Sequence, residues 1–158
     1  MRSEEKIVAA LKARGWHMAA AESCTGGLLT ARGVGVSGAS EVLDVSFVTY
    51  APAAKTEYLG VPPELIAACD VVSEPVAARM AAGVAARAHA QVGVGITGYA
   101  GPGGGTATAP AGTVCFGFYV DGAVSSCTVR FGDIGRNTVR RNAATFALRR
   151  LAALLWEK

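Results

Sequence analysis

Three short stretches hold the residues with the most chemistry. Glu22-Ser23-Cys24-Thr25-Gly26-Gly27 sets a hydroxyl and a thiol before two glycines. Tyr50 and Lys55 stand close together with Pro52 between them, and residues 97–105 (T-G-Y-A-G-P-G-G-G) are rich in glycine. A serine presented where a strand gives way to a helix can act as a nucleophile. The N–H groups of the residues after it, near Thr25, Gly26 and Gly27, would then face an oxyanion or a phosphate. The plainer reading is a strand-to-helix turn in which Ser23 or Thr25 caps the helix and the glycines allow tight packing. On pattern alone the plainer reading carries the larger weight.

A nucleophilic serine needs a base. His17 lies at the far end of the same expected strand, and at ~3.3 Å per residue it would stand roughly 20 Å from Ser23. His89 falls in the expected last turn of a helix, where a cation is ordinarily structural. Lys55 is the better candidate, provided its amine is neutral. Proximity to a helix N-terminus disfavours the ammonium form by about 0.3–1 kcal/mol, less than one pH unit. Bringing a lysine from ~10.4 to near 7 needs roughly 4–5 kcal/mol, so burial has to contribute most. Tyr50 would relay the proton or hold Lys55 and Ser23 in register. Taken alone, a solvated lysine and a core tyrosine with a wet hydroxyl are the commoner roles.

Other segments carry less. Residues 97–105 lack the Gly-Lys-Ser/Thr of a Walker loop and the spacing of a dinucleotide fingerprint. Arg136 and Arg140, one helical turn apart, would grip a phosphate or decorate an exposed face, and the second is commoner. Cys24, Cys69, Cys115 and Cys127 form no C-x-x-C pair, and with only two histidines a zinc site has little to draw on. No metal and no organic cofactor is expected.

The elements that must position these residues read as strands separated by helices, followed by a hairpin. A first helix, capped by Ser3, runs to about Arg14 and ends at Gly15. Residues 17–21 read as a short buried strand, 25–31 as the start of a helix, and 45–50 as a second strand. Pro52 opens a helix that carries Lys55 and ends at Gly60. Residues 62–69 form a short helix, and Ser73-Glu74-Pro75 starts a long one reaching about His89. Residues 92–97 are a strand and 98–112 a loop. Residues 113–120 and 123–131 pair across Asp121-Gly122, and a final helix spans about 137–156. This order predicts one domain over residues 1–158, a three-layer α/β/α sandwich with a mixed β-sheet. In such sheets ligands gather beyond the carboxyl ends of strands, where all three stretches lie.

Bulk properties exclude several classes. The 158 residues are 51% hydrophobic and 17% charged, which describes a folded chain and not a disordered one. A net charge of +3 with scattered basic residues does not suit nucleic-acid binding but suits a small anionic substrate. Apolar runs fall well short of the ~20 residues that span a bilayer, and no secretory signal is evident. A cytoplasmic protein is expected.

Taken together, the motifs resemble the CinA C-terminal domain family, whose active members are nicotinamide mononucleotide deamidases. They are A-E-S-C-T-G-G (21–27), F-V-T-Y-x-x-x-x-K (47–55), L-G-V (59–61), V-S-E-P-V (72–76), T-G-Y-A-G-P-x-G-G (97–105), P-A-G-T-V (110–114) and F-G-D (131–133). The likeness covers nearly the whole chain. It implies a Ser–Tyr–Lys set at Ser23, Tyr50 and Lys55. It also implies that Thr97, Gly98 and Gly101 lie on a substrate-facing loop, and that a homo-oligomer forms. The implied reaction releases ammonia and nicotinate mononucleotide. Three positions depart from the family pattern, on the expected phosphate and ribose side: Ser46 replaces a glycine, Ala109 a lysine and Ile134 an arginine. Two other readings stand beside the amidohydrolase: a nucleotide-binding module without turnover, and an amidase for another carboxamide.

Overall fold

The computed structural model describes residues 1–157. Eleven main elements follow in order: α1 (Ser3–Arg14), β1 (Met18–Glu22), α2 (Leu28–Val34), β2 (Leu43–Val48), α3 (Pro52–Leu59), α4 (Pro63–Cys69), α5 (Glu74–Ala88), β3 (Val92–Gly98), β4 (Thr113–Val120), β5 (Ala123–Arg130) and α6 (Arg136–Trp156). A 3-10 turn at Ala39–Glu41 precedes β2. The strands form one sheet in the order β2-β1-β3-β4-β5. β1 runs parallel to β2 and to β3, whereas β3–β4 and β4–β5 are antiparallel. This is the expected mixed sheet.

Local chemistry fixes most boundaries. Gly15 ends α1 and Gly60 ends α3, both left-handed. The Ser73 hydroxyl caps α5 by accepting the Val76 N–H. Asp121 and Gly122 both take positive φ, the geometry a two-residue hairpin turn requires. Several boundaries differ from expectation. Arg2, not Ser3, occupies the cap position of α1, where its backbone N–H and guanidinium both donate to the Glu5 carboxylate. α2 starts at Leu28, because residues 24–27 form a turn in which Gly26 and Gly27 have positive φ. β2 stops at Val48, so Tyr50 lies beyond the strand. His89 is the left-handed residue that ends α5, not part of its last turn.

Alternation along β3 divides the core. Val92, Val94 and Ile96 point into the larger cluster with Leu11, Phe116, Leu148 and Leu151, under α1 and α6. The opposite face carries Gly93 and Gly95, and Gly117 of β4 pairs across from Gly95. A methyl group on Gly95 would lie 2.4 Å from the Ala77 carbonyl oxygen, and one on Gly117 2.1 Å from the same atom. The backbone of α5 therefore rests on a glycine floor, which fixes the C-terminal end of β3 where Thr97 and Gly98 enter the site. Gly117→Ala is expected to lower stability by about 3 kcal/mol and Tm by roughly 6–12 °C. A thermal melt within about 2 °C of wild type would show that α5 is free to lift away. No described helix is long and apolar enough to cross a membrane.

Candidate active site

Ser23 follows the last residue of β1 and is 7% exposed. Its turn is held tightly. Gly26 N–H donates to the Ser23 carbonyl, and Gly27 N–H to the Glu22 carboxylate. Those two amides are therefore engaged internally and do not face a ligand, contrary to the expected oxyanion role. The N–H adjoining Ser23, that of Cys24, has no backbone carbonyl acceptor among the described residues. Gly98 is required beside this turn, since a Cβ there would press to 3.1 Å from Cys24 Sγ and 2.8 Å from Val114.

Lys55 sits in the first turns of α3 and is 1% exposed. Its Nζ lies 3.1 Å from Ser23 Oγ and donates to the Thr49 carbonyl at 2.6 Å. No carboxylate pairs with it among the described residues. Burial without a counter-ion disfavours the ammonium form and lowers its pKa to about 8. In the neutral form the amine can accept the Ser23 hydroxyl proton while still donating to Thr49. Burial acts oppositely on the Cys24 thiol, pushing it up to about 11, so the neighbouring sulfur stays protonated.

The pair opens into a cleft of ≈ 180 Å³ whose walls include Tyr50, Pro52, Val71, Thr97, Gly98, Tyr99 and Arg136. Tyr50 is 63% exposed, and its hydroxyl accepts from Arg136 Nη2 at 2.9 Å instead of meeting Lys55. Arg136 also donates to the Gly101 carbonyl at 3.0 Å. Gly101 thus orients the arginine and does not itself line the cleft. Thr97 lines it, with its hydroxyl donated to the Val71 carbonyl.

Other expected site residues lie elsewhere. Arg140 does not reach the cleft; its guanidinium holds the Cys24 carbonyl at 2.8 Å and the Thr25 carbonyl at 3.3 Å. It braces the turn that carries Ser23 and leaves Arg136 as the arginine on the cleft wall. Thr25 is buried and donates its hydroxyl to Glu22. His17 meets Asp44 at the opposite end of β1. Ser46, Ala109 and Ile134 line no part of the cleft; Ser46 packs instead against the Thr30 hydroxyl.

Sequence reasoning missed three contributors. Glu22 is buried beneath the turn, a lone carboxylate closing the strand M-A-A-A-E, and that placement was the available signal. The Thr49 carbonyl is a backbone group and leaves no signal in side-chain types. Tyr99 lines the cleft and donates to the Asp70 carboxylate at 3.2–3.3 Å, a contact between distant loops. The described residues contain no cluster of three or more His, Cys, Asp or Glu placed to hold a metal ion.

Comparison with known proteins bears on this geometry. The family model for the CinA C-terminal domain matches residues 1–155. A CinA-like protein of Syntrophobacter fumaroxidans is 45% identical over 96% of this chain, which spans only 35% of that relative. Nicotinamide-nucleotide amidohydrolase PncC of Enterobacter agglomerans is 48% identical over 90% of the chain and 87% of that protein. Among solved structures, the competence/damage inducible protein of Agrobacterium tumefaciens superposes with a TM-score of 0.92 at 38% identity, covering 96% and 93% of the two chains. A CinA superfamily protein of Klebsiella pneumoniae gives 0.93 at 35% identity, covering 99% and 97%. The family model spans nearly the whole sequence and the fold agrees with these relatives throughout: the chain belongs to the CinA C-terminal domain family.

Proposed function

We propose that this chain is an amidohydrolase that cleaves the carboxamide of nicotinamide mononucleotide, giving nicotinate mononucleotide and ammonia. The observation that carries the reading is the contact between Ser23 Oγ and a buried Lys55 amine that has no counter-ion among the described residues. The similarity to a nicotinamide-nucleotide amidohydrolase along most of both chains supports the choice of substrate. Neutral Lys55 takes the Ser23 proton as Oγ attacks the amide carbon. The Cys24 N–H, next to the nucleophile, supports the negative charge on the carbonyl oxygen. Lys55 then returns its proton to the departing nitrogen, and ammonia leaves an ester on Ser23. Water, deprotonated by Lys55, hydrolyses the ester and restores Ser23.

The cleft is smaller than the ~300–1,000 Å³ typical of pockets that enclose a whole ligand. It holds the pyridine amide, and the ribose phosphate extends toward Arg136. A phosphate forms a charge-assisted bond with a guanidinium, stronger than the bond from Arg136 to the neutral Tyr50 hydroxyl. Substrate would thereby free Tyr50 for the proton relay with Lys55. Arg136→Ala is expected to raise KM for the mononucleotide at least about tenfold, with a much smaller change for the dephosphorylated riboside. Equal losses on both substrates would remove Arg136 from phosphate recognition.

A second reading, a nucleotide-binding module without turnover, is favoured by the Tyr50 hydroxyl lying on Arg136 and away from Lys55. Ammonia release from the mononucleotide, measured beside free nicotinamide and the dinucleotide, separates the two. Binding without ammonia supports the module, and ammonia from the mononucleotide supports the hydrolase.

A further inference from the structure

Glu22 is 0% exposed, and among the described residues no ion pair reaches it. A buried carboxylate without a counter-ion persists only where hydrogen bonds replace its water. Five do so here. Oε1 accepts from Thr25 Oγ1 at 2.6 Å, Gly27 N–H at 3.2 Å and Leu29 N–H at 3.0 Å. Oε2 accepts from Thr30 N–H at 3.0 Å and Thr30 Oγ1 at 2.7 Å. These bonds wrap the residues after Ser23 around one carboxylate, and α2 has no other side-chain cap.

The backbone of the same residue reaches the other half of the pair. The Glu22 carbonyl accepts the Thr49 N–H at 2.9 Å, and the Thr49 carbonyl accepts Lys55 Nζ at 2.6 Å. The side chain thus sets the turn that carries the nucleophile, and the main chain sets the peptide that holds the base.

We propose that Glu22 is the positioning residue of the Ser23–Lys55 pair, fixing the nucleophile within reach of its base while touching neither substrate nor the reacting atoms. The inference rests on the reading of Ser23 as nucleophile. Its bonds have no role in holding substrate, so loosening them lowers the rate of the chemical step and leaves binding alone.

Glu22→Gln keeps the side-chain volume but turns an amide NH2 toward N–H donors. It is expected to lower kcat by about 10²-fold, the scale of a 1 Å misplacement, with KM within about twofold. Water entering the loosened turn would also move the ionisation in the rate profile upward from about 8, toward the ordinary lysine range. Because Glu22 also supports the fold, Thr25→Val and Thr30→Val serve as milder variants, each removing one hydroxyl donor; each is expected to slow kcat about tenfold at unchanged KM. Ser23→Ala is assayed alongside. Turnover surviving in Ser23→Ala sinks the nucleophile reading and this inference with it. With Ser23→Ala inactive, three results overturn the role of Glu22 alone. They are wild-type kcat in all three variants, a loss that falls on KM, and a loss that follows the unfolded fraction while the pH profile stays in place.

Discussion

Lys55→Arg is expected to hydrolyse nicotinamide mononucleotide about 10³-fold more slowly than wild type, although it keeps a positive charge at the same position. A guanidinium does not release its proton at working pH, so it cannot take one from Ser23. The same argument fixes the pH dependence. The active form of Lys55 is the neutral amine, and burial places its ionisation at about 8. Below that value the ammonium form predominates, and kcat/KM should rise tenfold per pH unit; above it the rate should level off. Log kcat/KM measured against pH in both proteins checks this. A profile flat through about pH 8, or near-wild-type turnover in Lys55→Arg, would make the lysine an electrostatic or orienting group.

Ser23→Ala is expected to remove turnover by about 10⁴-fold or more, and to leave no acyl-enzyme detectable by intact mass during reaction with the mononucleotide. The adjacent thiol cannot replace it, because burial holds Cys24 protonated up to about 11. The fold should survive. The change removes one hydrogen bond from Lys55, worth roughly 1 kcal/mol, while Lys55 keeps the Thr49 carbonyl. Ammonia release at even a tenth of the wild-type rate would move the nucleophile elsewhere.

How much of this was legible in the sequence depended on whether the cause was local. Turn and cap chemistry is local: Gly15, Gly60, Ser73, Pro52 and the Asp121-Gly122 hairpin placed their boundaries within a residue or two, and the alternation of strands and helices gave the mixed sheet. The start of α2 was misplaced because its cap comes from the preceding strand and not from Ser23 or Thr25. The expectation that Arg140 joins Arg136 at the cleft was misplaced for a similar reason. Shared spacing on α6 said nothing about the loop carbonyls that one of them meets. Lys55 was identifiable as a candidate base from the need for one. Its burial, which lowers its pKa, came from packing between segments distant in the chain.

Arg136 and Arg140 belong to α6, made after every other element of the domain. The first helix, α1, waits for the same partner, since Arg14 bonds to the Leu155 carbonyl and Ile7 and Leu11 share a core with Leu148 and Leu151. During synthesis, Ser23 and Lys55 therefore emerge early into a half-built domain whose Ser23 turn is unbraced and whose cleft lacks its arginine wall. The contacts that Arg136 and Arg140 make with the Gly101 carbonyl and the Ser23 turn therefore form only when the last helix docks. Until then Ser23 and Lys55 are present in the chain without the wall that closes their cleft.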